Sequence, residues 1–426
     1  MSSRSIQTAS ANWGELESIV GARNVRAAMS EDCVLGVQPT CIVEPGTQEE
    51  VALVLTWANA HSLRVLPRGN GTKLEWGNAP RGADLVLSLR RLNRVLEHAW
   101  ADMTATVDAG CTVQRLQQTL ALHKQRLSID VLWPERATIG GILATNDSGA
   151  LRLRFGSLRD LIIGMTVALP DGTLARSGGK VVKNVAGYDL PKLMTGSLGS
   201  LAVITQAIFR LHPSPLETRS LAFAAPTAQE ANRFMMRVLD SQLAYVAMQL
   251  RLSHDSQPML DVLFEGTEAG VSAQAAQIRE MARTLLEAPP ENAPWNAREK
   301  LWHNAESAVI ASVSVLPSEI AAAADLIAAQ CGAARLEWSF VAQATGLLTL
   351  RIEGSNPDSI VDTVARLRAK FESKTGSLVV RHNLRGASNM LDSWGDVGTA
   401  LPLMRRIKQQ FDPKATLNPG RFVGGI

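Results

Sequence analysis

The sequence predicts an α+β protein in two parts: a two-lobed first domain, followed by a domain in which one pattern of elements occurs twice. Short strands alternate with short helices as far as Pro213-Ser214-Pro215, which marks a boundary. Beyond it a β-α-β-β-α pattern appears once before and once after the proline-containing stretch Glu287–Trp302. Such a repeat is typical of two ferredoxin-like units, although the two copies share a pattern rather than residues.

The first lobe is predicted to be a small β-α-β unit. Residues 13–35 indicate a short helix and a lead-in, and Cys41–Pro45 a strand. Thr47–Glu50 has the spacing of a capping box, so a helix should begin there. Strands are expected at Ser62–Leu66 and Asp84–Leu89, where apolar residues form short runs bounded by turn-forming residues.

The second lobe is predicted to begin near Val95. A strand is expected at Ala105–Ala109 and a helix from Thr112. The apolar stretch Leu161–Leu169 ends in Pro170-Asp171-Gly172, which is a hairpin turn signal. A last strand is expected at 201–211, which completes the α+β arrangement of this domain.

In the second domain each copy of the repeated pattern has apolar strands around two helices. The Pro226-Thr227 pair with Glu230 starts a helix in the first copy, and Pro317-Ser318 does so in the second. A helix at Ser272–Leu286 ends the first copy, and Glu287–Trp302 is then a linker. The predicted strands are Leu221–Ala224, Tyr245–Leu252, Leu260–Phe264, Val309–Val315, Ala334–Val341, Leu347–Ile352 and Ser377–Val380.

The bulk composition is that of a compact globular protein, with 46% hydrophobic and 19% charged residues. A net charge of +3 without a basic cluster argues against a nucleic-acid partner. The start of the chain has no apolar core of signal-peptide length, and no apolar run is long enough to cross a bilayer. We therefore expect a cytoplasmic protein without direct membrane insertion.

Cysteine usage argues against a metal centre or an iron–sulfur cluster in this chain. The four cysteines do not form a C-x-x-C pair, and isolated reduced thiols are the simpler interpretation. A redox cofactor bound here would therefore have to pass its electrons to a centre outside the chain. The cysteines are Cys33, Cys41, Cys111 and Cys331.

Two glycine-containing stretches are suited to hold phosphate. Arg68–Lys73 follows a predicted strand, and its glycines let the backbone approach a ligand closely. Successive N–H groups in such a turn can form a concave anion site, to which Arg68 and Lys73 would add positive charge. Thr138–Gly141 is a second small-residue loop, so the pair could bracket a pyrophosphate from two sides.

These two loops, in this order and spacing, resemble the FAD-binding domain of the vanillyl-alcohol-oxidase/PCMH flavoprotein superfamily. Arg154-Phe155-Gly156, Asp171-Gly172 and the stretch 178–205 extend the resemblance over roughly residues 36–215. Lys183–Leu190 is most similar to the bacterial glycolate oxidase flavin subunits, in particular the smaller, FAD-binding E-type subunit. The resemblance resumes at Phe411–Arg421, which is similar to the closing Asp-Pro…Asn-Pro-Gly motif of the family.

The resemblance implies a PCMH-type FAD-binding domain at 36–215 after a lead-in at 1–35, a cap at 216–378 and a C-terminal segment, 379–426, that returns to the FAD domain. It implies that Asn146 and Ser148 lie near the flavin head, that the Val203-Ile204 backbone meets the adenine and that Asn418 reaches the ring system. The expected cofactor-binding residues are Arg68, Gly69, Asn70, Gly71, Thr72, Thr138, Ile139, Gly140, Gly141, Asn146, Ser148, Val203, Ile204 and Asn418.

Three departures from the family pattern affect the expected site. Thr72 stands where some relatives attach FAD through a histidine, so we expect non-covalent FAD. Leu198 and Ser200 replace a Glu and a Thr, and Leu198 cannot accept a side-chain hydrogen bond. Asn146–Ala150 replaces a small apolar Ala-Gly-Gly loop close to the flavin, which argues against ordinary substrate geometry.

Oxidation of a 2-hydroxy acid requires a cation for the carboxylate and a base for the hydroxyl proton. The expected catalytic residues are Arg351, Arg381 and His382, with Glu353 and Arg385 close by in the sequence. On a regular strand Arg381 and His382 point to opposite faces, so they can share a pocket only if the strand bends. The His/Glu metal motif of larger relatives is not matched here, and we predict no metal site.

Two hypotheses remain open. In the first, the chain is a flavoenzyme subunit that oxidises glycolate or another short 2-hydroxy acid. In the second, it is an FAD-bearing electron-transfer or structural subunit, and a partner does the substrate chemistry. Both fit a complex with a second flavin subunit and an iron–sulfur subunit, through which the chain would lie peripheral to the inner membrane. A Rossmann NAD enzyme is disfavoured, because Leu74 occupies the place of the third fingerprint glycine.

Overall fold

A computed structural model of the chain describes residues 13–180, 189–289, 294–384 and 391–426. Most of the Lys183–Leu190 motif, and Arg385, lie outside the described residues. The described chain contains a mixed sheet, two larger antiparallel sheets and helices packed against them, as expected for an α+β fold. Between residues 216 and 384 the strands form one continuous sheet, whereas the part before it is divided between separate sheets of four, five and two strands.

The first lobe is a four-stranded sheet in the order β1-β2-β4-β3, in which β2 and β3 run parallel to β4. Strands β2 and β4 are buried along their whole length, which explains why their residues are apolar except Ser88, whose hydroxyl donates to Glu44 at 2.9 Å. The elements of this lobe are Trp13–Val20 (α1), Val25–Ala27 (β1), Cys41–Val43 (β2), Gln48–Ala60 (α2), Val65–Arg68 (β3) and Leu85–Ser88 (β4).

Two details of this lobe differ from the prediction. Residues 25–27, expected in the lead-in, form strand β1 and pair antiparallel with β2. Thr47 caps α2 as predicted, accepting from the Glu50 amide at 3.1 Å. In a regular capping box the Glu50 carboxylate would accept from the amide of Thr47. Here it accepts from the amide of Gly46 instead, one residue earlier, at 2.6 Å.

The second lobe is an antiparallel sheet in the order β5-β6-β10-β8-β9, and β8 and β9 form the predicted hairpin. Gly172 in its turn has φ of 91°, a conformation that glycine adopts without strain. The strands are Val95–Ala99 (β5), Thr104–Asp108 (β6), Gln125–Arg126 (β7), Ile162–Ala168 (β8), Leu174–Gly178 (β9), Val203–Arg210 (β10) and His212–Pro213 (β11). The helices are Val113–Ala121 (α3), Ile139–Thr145 (α4), Arg152–Phe155 (α5), Leu158–Leu161 (α6) and Leu190–Met194 (α7).

The cap is one eight-stranded antiparallel sheet in the order β15-β12-β14-β13-β17-β18-β16-β19. Its first half contains Glu217–Ala224 (β12), Ala228–Leu239 (α8), Tyr245–Ser253 (β13), Met259–Gly266 (β14), Glu268–Met281 (α9) and Leu286–Ala288 (β15). A short helix, Ala297–Lys300 (α10), precedes the second half. That half contains Ala308–Ser314 (β16), Ile320–Ala334 (α11), Glu337–Gln343 (β17), Leu347–Glu353 (β18), Pro357–Glu372 (α12) and Ser377–His382 (β19).

The duplicated ferredoxin-like prediction is confirmed by the strand order. If the strands of each half are counted in chain order, both halves are arranged four-one-three-two, and they join side by side through β13 and β17. The prediction did not include β15, because residues 286–288 were assigned to the end of a helix and the start of a linker. The preceding helix ends earlier, at Met281, and this leaves room for the strand.

Separate apolar cores lie under the first two lobes and under the cap sheet. We propose that they correspond to the predicted domains 36–215 and 216–378. The last helix, Leu401–Phe411 (α13), leads into a segment that returns to β3, where Leu417 pairs parallel with Val65. The Arg126–Glu265 ion pair and the Asn78–Asp392 hydrogen bond also connect the first domain with later parts of the chain.

Candidate functional site

The two glycine-containing stretches meet in the structure. Gly69 lies so close to Thr138 that an added Cβ atom would be 2.1 Å from the Thr138 Oγ1. The side-chain amide of Asn70 donates to the carbonyl of Arg136 at 2.8 Å. Arg68–Thr72 and Thr138–Gly141 therefore form one cradle, in which close backbone approach excludes a side chain at position 69.

The second stretch is the first turn of a helix, which corrects the prediction of a loop. Thr138 is the N-cap of α4 and accepts from the amide of Gly141 at 3.3 Å. Ile139 is fully buried in the core, and an added Cβ atom at Gly140 would lie 2.9 Å from that of Ala109. The small residues are thus needed for packing against Ala109 as well as for access to a ligand.

Both cations expected to face phosphate are paired elsewhere. The guanidinium of Arg68 donates to Asp32 at 2.9 Å. Hydrogen bonds from Arg26, with a further one from Arg68, hold the pKa of Asp32 well below its ordinary value. Lys73 is buried and pairs with Asp147 at 3.2 Å. Any phosphate held by the cradle would therefore rely on backbone amides and hydroxyl groups.

The start of β10 adjoins the cradle through Ala109. The amide of Ala109 donates to the carbonyl of Thr205 at 2.9 Å, and its carbonyl accepts from Gly140 at 2.7 Å. Val203 and Ile204 lie directly before Thr205, with side chains buried in the core. This places their backbone on the same side of the fold as α4, where the family resemblance expects the adenine.

Asn146, Leu198 and Asn418 converge beyond the end of α4. Asn146 is the C-cap of α4 and has left-handed backbone angles. The amide of Leu198 donates to the carbonyl of Ala144, in the last turn of α4, at 2.8 Å. The side-chain amide of Asn418 donates to the carbonyl of Leu198 at 2.5 Å. The returning C-terminal segment thus brings Asn418 to the residues that were expected beside the flavin.

Two buried oxygen atoms at this position have no hydrogen-bond partner. They are the side-chain oxygen of Asn146 and the hydroxyl of Ser148. Buried polar atoms are nearly always satisfied, so such a pair indicates a missing polar ligand. Together with the glycine cradle, these atoms fit a flavin dinucleotide that extends from the cradle to the end of α4.

Next to this region lies a cavity of about 990 Å³ between the first lobe, the second lobe and the cap. Thr72 and three tryptophans, Trp76, Trp133 and Trp302, are among its lining residues. The rings of Trp76 and Trp302 stack with centroids 5.8 Å apart, and Trp133 meets Trp302 edge-on at 5.2 Å. The sequence prediction did not include these aromatic residues in the site.

Strand β19 bends where it reaches this cavity. Ile310 pairs with His382, whereas Ala311 pairs with Val380, so Arg381 is an extra residue in a β-bulge. As a result, Arg381 and His382 both approach the tryptophans: the guanidinium carbon of Arg381 is 4.8 Å from the Trp76 ring centroid, and the His382 ring is 6.4 Å from that of Trp302. The strand thus bends at the position where the sequence analysis required a bend for the two side chains to share a pocket, and His382 lines the cavity.

The environments of these two residues differ. Arg381 donates from Nε to the Ser312 hydroxyl at 3.2 Å, and no carboxylate of the described residues forms an ion pair with it. Burial lowers the pKa of Arg381 to about 10, although the charge of Asp147 opposes this shift. The Nδ1 atom of His382 pairs with Glu75, and its Nε2 lies 2.9 Å from the carbonyl oxygen of Ala305.

Arg351 has a structural position. Its five N–H donors are directed at both carboxylate oxygens of Glu353 and at the carbonyls of Leu301, His303 and Asn304. Binding a substrate carboxylate would require several of these bonds to break. Arg351 therefore fixes the segment that carries Trp302, and all five of its N–H donors are occupied by protein acceptors instead of being directed at a substrate carboxylate.

A buried ion cluster joins the stretch between the two halves of the cap to the first domain. Asp147 accepts from Arg298 at 2.9 Å, from the Leu132 amide at 2.9 Å and lies 3.2 Å from Lys73. Burial alone would raise the pKa of Asp147, but Arg298 and Lys73 outweigh it and hold that pKa below its ordinary value. Burial lowers the pKa of Lys73. The stretch expected to be a simple linker thus contributes to the site.

Some of these residues carried a signal in the sequence. Asp147 already stood out as a departure in a loop that is usually small and apolar. Nine tryptophans in one chain could have suggested an aromatic site, but nothing in their spacing brings Trp76, Trp133 and Trp302 together. In the described part of the chain, no cluster of acidic, histidine or cysteine residues has the arrangement of a metal site, and no helix could cross a membrane.

Comparison with known proteins agrees with this geometry. Residues 39–178 match the model of the FAD binding domain, and residues 218–422 match that of the FAD linked oxidases, C-terminal domain. The chain belongs to the PCMH-type flavoproteins. FAD is its cofactor, as the sequence predicted. The fold of this flavoprotein is also that of p-cresol methylhydroxylase, with a TM-score of 0.77 at 16% identity over 96% of this chain and 95% of the other.

Two curated relatives show where the flavoprotein stands within this group. It is 31% identical to the glycolate oxidase subunit GlcD of Bacillus subtilis over 56% of its own length and 50% of the relative. It is 29% identical to D-2-hydroxyglutarate dehydrogenase of Xanthomonas citri pv. viticola over 90% of its length and 89% of the relative. The match to the first relative thus spans only half of that protein, whereas the second is covered nearly throughout.

Proposed function

We propose that this flavoprotein is the FAD-binding, E-type subunit of a complex that oxidises a short 2-hydroxy acid, with glycolate converted to glyoxylate as the first reaction to test. The observation that carries the proposal is the β-bulge in β19. It brings Arg381, an arginine without a carboxylate ion-pair partner among the described residues, to 4.8 Å from the ring of Trp76, which lines the same cavity as His382. That cavity also contains Thr72 of the flavin cradle.

Arg381 and His382 have distinct proposed tasks. Arg381 holds the substrate carboxylate, because a guanidinium can bind both oxygens at once. His382 takes the hydroxyl proton at Nδ1. The carbonyl of Ala305 can only accept, so Nε2 donates to it. The Glu75 carboxylate at Nδ1 accepts as well, so Nδ1 can act as the base only after Glu75 has moved away from it. The substrate hydroxyl then takes the place that Glu75 occupies at Nδ1. Bound FAD supplies the acceptor for the hydride from the α-carbon.

A second function is favoured by a specific observation. In the structure the Nδ1 atom of His382 is already paired with Glu75, so the base is not free. If this pair persists, the chain carries FAD for electron transfer or assembly, and a second flavin subunit oxidises the substrate. Under either function we propose an iron–sulfur subunit as electron acceptor and a cytoplasmic complex, peripheral to the inner membrane through its partners.

An anaerobic titration separates the two functions. The FAD-loaded chain is purified alone, and its visible spectrum is followed during addition of glycolate and then D-lactate. Bleaching of the flavin supports substrate oxidation by this chain, and Arg381→Met should abolish it while the exposed-pair variant Arg279→Met keeps it. A flavin that stays oxidised until partner subunits are added supports the electron-transfer function. If the flavin bleaches neither in the chain alone nor after partner subunits are added, both functions are contradicted.

Retention of FAD is checked separately. Asn146→Ala combined with Ser148→Ala removes the two unsatisfied oxygens and should weaken FAD binding by about tenfold or more, since each hydrogen bond contributes roughly 1 kcal/mol. Thr145→Ala is the matched control, because its hydroxyl bonds to the helix carbonyl of Gly141. Equal flavin content in all variants would contradict the proposed position of the cofactor.

A further inference from the structure

Two buried indole N–H groups in the cavity lack an acceptor. They belong to Trp76 and Trp302, whose rings stack at 5.8 Å with only 17° between their planes. Trp76 is 5% exposed, so water does not replace the missing acceptor at its surface. A buried donor without a partner destabilises the fold by about 1–3 kcal/mol, and two of them side by side indicate a ligand that accepts hydrogen bonds.

The surroundings of these donors favour an anion. The ammonium of Lys73 lies 5.8 Å from the Trp76 ring centroid, and Arg381 lies 4.8 Å from it. Lys73 is paired with Asp147, which also holds Arg298, and the other nearby carboxylate, Glu75, is paired with His382. Arg381 is therefore the cation beside the stacked rings that has no carboxylate ion-pair partner among the described residues.

Trp302 is held in place by contacts outside the cavity. Arg351 donates to the carbonyls on both sides of it, those of Leu301 at 2.8 Å and His303 at 2.6 Å. Arg298, four residues earlier, is anchored on the carbonyls of Asp130 and Ser148. The segment is thus ordered before any ligand arrives, so little conformational entropy is lost when the indole N–H binds.

We propose that the indole N–H groups of Trp76 and Trp302, beside Arg381, form a binding subsite for a carboxylate oxygen of a small organic acid. The ligand identity rests on the proposed function: the 2-hydroxy acid, or the 2-oxo acid formed from it. Arg381 provides the charge, and the two indoles provide directional hydrogen bonds in an apolar setting where such bonds are strong. The subsite also explains why a buried cavity wall contains two donors that the protein itself leaves unsatisfied.

The test uses the FAD-loaded chain and oxalate, a small dicarboxylate without a hydroxyl group to oxidise. Trp76→Phe and Trp302→Phe keep an aromatic ring but remove the N–H. Trp133→Phe is the matched control, because Trp133 lines the same cavity and its indole nitrogen is not one of the buried unsatisfied donors. Oxalate affinity, measured by calorimetry, should fall about tenfold or more in each of the first two variants and less than about twofold in the control.

A second readout follows the indoles directly. Isotope-labelled tryptophan gives one indole N–H resonance per residue, and the three variants assign those of Trp76, Trp133 and Trp302. Oxalate should move the resonances of Trp76 and Trp302 downfield, as expected for new hydrogen bonds, and leave that of Trp133 nearly unchanged. The flavin absorbance of each variant confirms that FAD is still bound.

The outcomes distinguish this proposal from the proposed function. If the wild-type chain binds neither oxalate nor glycolate, substrate oxidation by this chain fails and the subsite fails with it. If the wild type binds oxalate, but Trp76→Phe and Trp302→Phe bind it equally well, only the subsite is overturned. Equal weakening by Trp133→Phe would likewise overturn it, because loss of packing would then explain the effect.

Discussion

The two halves of the cap have the same strand order but end differently. In the first half the fourth strand is β15, three residues at the outer edge of the sheet, and Leu286 within it is 74% exposed. In the second half the fourth strand is β19, six residues long, and it ends in the bulge that carries Arg381 and His382. The duplication therefore supplies a symmetric sheet, and only one copy supplies residues to the cavity.

The contrast extends to the arginines inside each half. Arg251 on β13 pairs with the fully buried Asp261 on β14, within the sheet itself. Arg351 on β18 instead extends its donors to the segment that carries Trp302. The first half thus uses Arg251 for internal stability, and the second half uses Arg351 to connect the cap with the site.

The largest expected effect comes from removing these arginines in turn. Arg251→Met and Arg351→Met should each lower the free energy of unfolding by about 3–5 kcal/mol, because each takes the guanidinium away from buried acceptors. Only Arg351→Met should also abolish oxalate binding, since it releases the Trp302 segment. Denaturant unfolding and calorimetry measure the two quantities. Loss of binding in both variants would show that the halves are not functionally distinct.

Removing the bulged arginine should separate binding from stability. Arg381→Met should weaken binding of a small carboxylate by about 10- to 150-fold, as expected when a charged hydrogen-bonding partner is lost. Its unfolding free energy should stay within about 1 kcal/mol of wild type, because a buried guanidinium without an ion pair contributes little to stability. A stability loss as large as that of Arg351→Met would assign Arg381 a structural task instead.

Asp130 should give a pH-dependent effect on stability; its carbonyl accepts from Arg298, in the stretch between the two halves of the cap. Burial raises the pKa of Asp130 to about 6 in the folded chain, although the charge of Arg298 opposes this. Its contribution to stability is therefore complete below its unfolded pKa of about 4 and is lost as the pH rises through about 6. Relative to Asp130→Asn, the wild type should lose roughly 2 kcal/mol of unfolding free energy between about pH 4 and pH 7. If the difference in unfolding free energy between the wild type and Asp130→Asn stays constant across this range, the raised pKa of Asp130 is contradicted.

The smallest expected effect lies in the short edge strand. Leu286→Ala should change the unfolding free energy by less than about 0.5 kcal/mol, because the side chain is exposed. The same change in β19, Leu378→Ala, removes a fully buried side chain and should lower it by about 2–5 kcal/mol. Equal effects on thermal or denaturant unfolding would mean that the two fourth strands contribute equally to the sheet.

Much of the fold follows from local sequence patterns. The Gly172 hairpin and the two β-α-β-β-α runs each depend on residues close together in the chain, and so the α+β class and the ferredoxin-like repeat were predictable. Strand β15 was missed because Leu286–Ala288 is too short to show alternation and is paired only with β12. Its existence depends on a neighbour more than sixty residues earlier in the chain.

The site was less predictable, for a physical reason. Which face Arg381 and His382 occupy is decided by the register of β19 against Ile310 and Ala311, and a one-residue shift reverses it. Similarly, the role of Arg351 depends on carbonyls in the segment 301–304, which the sequence places in a featureless linker. Residue type alone favoured all three as catalytic candidates, whereas the hydrogen bonds separate Arg351 from the other two.

The parallel pairing of Leu417 with Val65 has a consequence for how the protein is made. The segment that bears Asn418 is synthesised long after the glycine cradle, so the two cannot meet until residue 418 has left the ribosome. With the flavin in the position that we propose, capture of FAD should be completed only after both halves of the cap have been synthesised. Proteolytic removal of the segment after Phe411 would leave both large sheets intact but free the edge of β3 and withdraw Asn418 from Leu198.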